Sequence, residues 1–188
     1  MLRKIILTVS MVVALIVTIP TKAQAAYSDG AAVGAALMGG FPAGASLGVT
    51  GQFSGVPVMF GLTARMGFGN YNWFGVGLTA DWWGFKHNFG PAGDSDAWVY
   101  LGPGGAFAAD FASNYWSITA ALRMPVGFSF IVKQNWEIYI EIAPSVNVLH
   151  VGSYGVQVLG IYVDKNHSGW AFDGFLGFSG QFGFRYWF

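Results

Sequence analysis

Eight charged side chains stand out: Arg65, Asp81, Asp110, Arg123, Glu137, Glu141, Asp173 and Arg185. Each interrupts a run of apolar or small residues. Only 10% of the chain is charged, against about a quarter in soluble domains. A charge held among apolar neighbours is costly unless it is paired, so these acids and bases should meet one another. Hairpin arithmetic suggests how. Folding the chain about residue 160 sets Glu137 opposite Gly183 and diagonal to Arg185. Folding it about residue 133 sets Arg123 opposite Ala143 and diagonal to Glu141. The chemistry is then either a static ion-pair network or the lining of an ion path, and the static network is the simpler reading.

Other chemistry is thin. His87, His150 and His167 lack the four-residue spacing of a zinc helix motif, so neither a metal nor a cofactor is expected. His167-Ser168 could supply a base and a nucleophile for a lipid hydrolase or acyltransferase. Such a pair needs a third group to orient the base, and none is assignable. The Gly-x-Gly strings alternate inside extended segments and open no helix, so they are not phosphate loops. Three of the nine basic residues (Arg3, Lys4 and Lys22) fall in the leader described next, and the remainder is net acidic. No basic patch suggests a nucleic-acid partner.

The elements that must position these groups begin after a leader. Arg3 and Lys4 precede the apolar run Ile5 to Ile19, Pro20 ends it, and Ala23-Gln24-Ala25 offers a small-x-small cleavage site. That is the order of a secretory signal peptide, so residues 1–25 are expected to be removed and 26–188 to form one domain. The chain has no Cys, which excludes disulfides and a lipoprotein anchor.

The strongest pattern is alternation. From Trp170 to Phe188, even positions are aromatic, aliphatic or Gly, and odd positions are mostly small, polar or charged. Trp136 to Val148 repeats this, with Ile138, Ile140 and Ile142 against Glu137, Tyr139 and Glu141. Tyr115 to Phe130 does so again. Side chains of a strand alternate between faces. Eight runs result: 31–40, 44–53, 56–67, 73–85, 97–111, 115–130, 135–150 and 169–188. Turn residues separate them, including a loop from Lys86 to Asp96 and another from Gly152 to Ser168. Pro144 should force a bulge or break nearby.

An all-β, antiparallel, up-and-down barrel of eight strands accommodates this map. A soluble barrel would turn the apolar face inward, and a membrane barrel turns it out. An eight-strand interior is only just wide enough for side chains to fill. The polar face, rich in Gly, Ala, Ser and Thr, suits that interior. The face carrying Trp, Phe and Ile suits lipid, so the barrel should be transmembrane. Trp73, Trp98, Trp116, Trp136 and Trp170 sit near strand starts, where interfacial aromatics belong.

The closing residues Gly183-Phe184-Arg185-Tyr186-Trp187-Phe188 resemble the C-terminal assembly signal of bacterial outer-membrane proteins, with Phe184, Tyr186 and Phe188 as its alternating apolar positions. Leu122-Arg123-Met124-Pro125-Val126-Gly127 and Glu137 to Pro144 are similar to segments of small spirochaetal barrels. The architecture resembles the OmpA membrane domain and OmpX. The resemblance implies outer-membrane lipids as surroundings, and periplasmic chaperones and the barrel assembly machinery as biogenesis partners. It also implies a structural, adhesive or narrow-pore role with no enzyme activity. One departure stands out. With both termini periplasmic, the loop Lys86 to Asp96 would be a long connection on the side where connections are short. The expectation is a structural or interaction barrel with a mostly plugged lumen carrying Arg65, Asp81, Arg123, Glu137, Glu141, Asp173 and Arg185. The alternatives are a small-solute channel and a lipid-modifying enzyme. Oligomeric state is open.

Overall fold

A computed structural model describes residues 30–41, 44–67, 72–92, 95–133, 135–153, 155–163 and 175–188. The expected leader, Trp170 and Asp173 lie outside the described residues. The described regular elements are all strands, in chain order β1 (Ala32–Phe41), β2 (Gly44–Gln52), β3 (Val58–Gly67), β4 (Trp73–Trp82), β5 (Phe85–Ala92), β6 (Ser95–Leu101), β7 (Gly104–Ala112), β8 (Tyr115–Arg123), β9 (Val126–Val132), β10 (Trp136–Gly152), β11 (Gly155–Val158), β12 (Ile161–Tyr162) and β13 (Leu176–Trp187).

These strands make eight staves. β4 continues into β5, β6 into β7, and β8 into β9, each across a break of two residues. All pairings are antiparallel, and the wall closes where β13 pairs with both β1 and β10. Crossing the rungs from Trp187 through Ala32, Gln52, Met59, Asp81, Gly104, Arg123 and Ser145 returns to the last strand at Gly177, ten residues along it. A stagger of this kind is what tilts the strands of a closed barrel.

The three breaks lie side by side. Trp82 N donates to Pro103 O, Gly102 N to Pro125 O, and Met124 N to Pro144 O, at 3.0, 3.3 and 3.0 Å. Proline has no N–H for the ladder, and one line of irregularity crosses three neighbouring staves. Pro144 itself stays in register, facing Phe178. The irregularity in β10 comes later, as a register shift between Asn147 and Leu149.

Residues expected in loops extend the staves. The segment Lys86 to Asp96 is not a loop: most of it belongs to β5 and β6, which pair from Phe85↔Leu101 to Ala92↔Ser95. This corrects the map and removes the long connection at that end, because alternation was masked there by Asn88, Gly90 and Pro91. Part of the expected loop from Gly152 to Ser168 is a small hairpin, β11–β12, paired to the end of β10. The final strand, expected from 169, begins within the described residues at Leu176.

The apolar face points outward. Leu37, Val49, Leu62, Phe74, Leu78, Phe107, Leu122, Ile140 and Phe182 are all exposed. On a protein in water this would be an apolar surface far beyond what monomers tolerate. In lipid, a closed sheet pairs its backbone groups and presents such a belt. The fold is a transmembrane eight-stave antiparallel β-barrel. Both chain ends meet at one rim, where Phe188 N donates to Ala31 O at 2.9 Å. That rim is called the terminal end below, and the opposite one the distal end.

Candidate functional site

The inward face divides into two parts. Toward the terminal end it is filled solid. Arg185, on β13, has no solvent exposure. Its Nη1 donates to Glu137 Oε1 of β10 at 3.0 Å, and its Nε to Thr50 Oγ1 of β2 at 3.2 Å. Its guanidinium lies 3.5 Å from the ring centre of Tyr139 and 5.0 Å from that of Trp83, a cation held between aromatic faces. Trp187 Nε1 donates to the other oxygen of Glu137 at 2.9 Å. Trp83 stacks on Tyr100 with ring centres 3.9 Å apart.

Tyr100 carries the chain of bonds onward. Its hydroxyl donates to Glu141 Oε2 at 2.9 Å. Glu141 Oε1 accepts from Arg123 Nη2 at 2.7 Å and from Gln181 Nε2 at 2.5 Å. Arg123 Nε is 3.2 Å from Asp81 Oδ1. Two guanidiniums and three carboxylates thus interlock from four staves in a low-dielectric interior, where paired charges hold firmly and unpaired ones are expensive.

Glycine makes room for this filling. Tyr100 faces Gly127, Tyr139 faces Gly183, Arg185 faces Gly34, and Asp81 faces Gly104 across the rungs. A Cβ at Gly127 or Gly183 would run into the tyrosine ring or hydroxyl, and one at Gly34 into the Arg185 side chain. The inward glycines are therefore the seats of the bulky side chains opposite them.

Toward the distal end the described residues leave the lumen unfilled. A cavity of about 450 Å³ is lined by hydroxyls such as Ser46, Thr63, Ser117 and Thr119, with Trp73 and Arg123 also on its wall. Arg65 and Asp110 form a looser pair at 3.6 Å. Arg65 lies 5.7 Å from the ring centre of Trp73. Thr119 Oγ1 is 2.9 Å from His150 Nδ1.

The expected network residues therefore fall into two groups. Asp81, Arg123, Glu137, Glu141 and Arg185 meet in the stopper, and Arg65 sits in the cup with Asp110. The registers differ from the hairpin arithmetic by two residues. Glu137 directly faces Arg185, and Arg123 faces Ser145, because both pairings are centred one residue later in the chain than assumed. Two expected interfacial aromatics are corrected. Trp73 lines the lumen, and Trp98 pairs with Ser129 on the face that carries Tyr100. Both lie at stave ends but on the inward parity. Trp116 and Trp136 do face outward. Trp136, Tyr186 and Phe188 form an edge-to-face series at the terminal rim, with successive ring centres 5.0 Å apart. His87, expected in a loop, lies on β5 against Phe89.

The expected network omitted Trp83, Tyr100, Tyr139 and Trp187. They sit at polar-face positions in the alternation, and each of the two tyrosines faces a glycine. That coincidence of a bulky residue and a glycine was the available signal. His167 and Ser168 lie outside the described residues. Among the described residues, no cluster of His, Asp or Glu could hold a metal ion.

Neither a family model nor a curated protein matches the chain. Two solved structures are similar in fold. One is the N-terminal β-barrel domain of OprF from Pseudomonas aeruginosa, with 11% identity and a TM-score of 0.45 over 86% of this chain and 98% of that one. The other is the Neisserial surface protein A, NspA, with 13% identity and a TM-score of 0.41 over 84% of this chain and 94% of that one.

Proposed function

We propose that this chain is an integral outer-membrane protein with a structural or interaction role, whose lumen is stoppered at the terminal end. The observation that carries the stopper is the complete burial of Arg185, Glu137, Tyr100 and Trp187 on the barrel axis side of the wall. Groups so buried and so bonded leave no route for a hydrated ion without breaking several charge-assisted contacts. The outer-membrane assignment draws on the outward apolar belt, the expected leader, and Phe184, Tyr186 and Phe188 on the outward parity of the closing strand. The barrel assembly machinery and periplasmic chaperones are its biogenesis partners in this reading, and outer-membrane lipids its surroundings.

Planar-bilayer recording of refolded protein tests the stopper. The expected trace is silent. A steady conductance that disappears in Arg123→Ala or Glu141→Ala would overturn it and favour a narrow solute path. That second reading has one observation behind it, the distal cup, which already occupies part of such a path.

A further inference from the structure

The β11–β12 hairpin has an unexpected surface. β10 pairs with β13 from Trp136 to Val146, and beyond that level its free side is taken by β11. β11 runs back toward the terminal end. The turn at Leu159-Gly160 comes level with Val148, whose carbonyl accepts a bond from Leu159 N at 3.0 Å. The tip therefore returns to the rung where β13 begins, since Asn147 N donates to Phe175 O at 2.8 Å.

Its composition is wrong for a solvated turn. Leu159 has φ of 50° and Gly160 of 78°. Two positive-φ residues joining paired strands is the tight hairpin geometry that favours Asn-Gly or Asp-Gly, and a leucine there is strained. Leu159 is also exposed, as are Val158, Ile161 and Val163. Register places Val158 opposite Leu149 and Ile161 opposite Val158. This face continues the outward belt of Leu149, Leu176 and Phe178, all exposed. The opposite face carries Gln157, which lines the distal cup.

We infer that the β11–β12 hairpin is a lipid-contacting element, with Leu159 seated among the acyl chains just below the headgroups of the distal leaflet. Continuity with the belt names the occupant: what covers Leu176 and Phe178 also covers Val158 and Ile161. The apolar tip compensates the strained turn only if it leaves water. β11 pairs with Leu149 to Gly152, the last residues of β10, which places the hairpin at the distal end of the belt and not at its middle. Leu159 therefore marks the rim of the belt.

The inference rests on the membrane reading of the barrel, and one experiment separates the two. The chain has no cysteine, so Leu159→Cys, Ile140→Cys and Asn114→Cys each give a single nitroxide label. Each variant is refolded at low protein-to-lipid ratio into phosphatidylcholine–phosphatidylglycerol vesicles, and folding is checked by the heat-modifiable gel shift. Accessibility to oxygen and to a water-soluble nickel chelate is then measured. Position 140 should favour oxygen and position 114 nickel. Position 159 should favour oxygen at least several-fold over position 114. If 140 favours oxygen but 159 behaves like 114, the hairpin is a solvated turn and the inference fails alone. Low access of 159 to both reagents also overturns it, in favour of a contact with protein. If 140 itself favours nickel, the membrane reading fails.

Discussion

The two halves of the lumen are built from the same alternating staves and filled in opposite ways. In the terminal half, aromatic rings and charged groups from five staves interlock over glycine seats, and Arg185 and Glu137 lose all contact with solvent. In the distal half, Ser and Thr line a cavity of about 450 Å³. The charged pair there, Arg65 and Asp110, keeps partial exposure and a separation of 3.6 Å. Period and closure are shared. What differs is side-chain volume on the inward parity: Trp83, Tyr100, Tyr139 and Trp187 on one side of Arg123, hydroxyls on the other. A narrow barrel is plugged or open at a given level according to a few residues, not according to its strand count.

Removing one partner from each half should expose this contrast most strongly. Glu137→Ala leaves Arg185 buried without its counter-ion and should cost about 3–5 kcal/mol. Asp110→Ala, in the partly solvated cup, should cost about 1 kcal/mol or less. Urea unfolding in detergent micelles gives both numbers, and equal losses would erase the distinction between stopper and cup.

The seats come next. A Cβ at Gly34 would run into Phe184 O and lie 2.6 Å from Arg185 Cγ. Gly34→Ala should therefore destabilise by about 1–3 kcal/mol or more. At Gly39 the nearest atom to an added Cβ is 4.0 Å away, and Gly39→Ala should stay within about 0.5 kcal/mol. The heat-modifiable gel band, followed through a temperature series, ranks them.

Tyr100→Phe removes the hydroxyl that donates to Glu141, and should cost about 1.5–3 kcal/mol as the loss of a bond to a charged acceptor. A loss well below that would mean Arg123 and Gln181 satisfy Glu141 alone. Smallest is His150→Ala, which frees Thr119 to bond water in the open cup and should cost under about 1 kcal/mol by the same unfolding measurement.

Much of the barrel was legible in the sequence. Ile138, Ile140 and Ile142 against Glu137 and Glu141 fixed both the period and the face. The pairing of Arg185 with Glu137 followed from the cost of burying either alone, although register was missed by two residues. Register depends on turn geometry, and hairpin arithmetic treats connections as featureless. β5 and β6 escaped detection because Asn88, Gly90 and Pro91 interrupt the alternation while the backbone pairing continues around a bulge. Trp73 and Trp98 were misplaced because nearness to a stave end was weighed above parity, and parity decides which way a side chain points.

Arg185 has a place in the chain as well as in space. It belongs to the last strand, lies over Gly34 of the first, and bonds Glu137 of the neighbour on its other side. Glu137 already stands on the neighbouring strand β10, but until the two ends of the chain meet, neither the seat at Gly34 nor the hydroxyl of Thr50 is in place around it. Sealing the lumen and joining the seam are then a single event. The final guanidinium works as a catch whose last contacts, over Gly34 and with Thr50, are made only once the circle is complete.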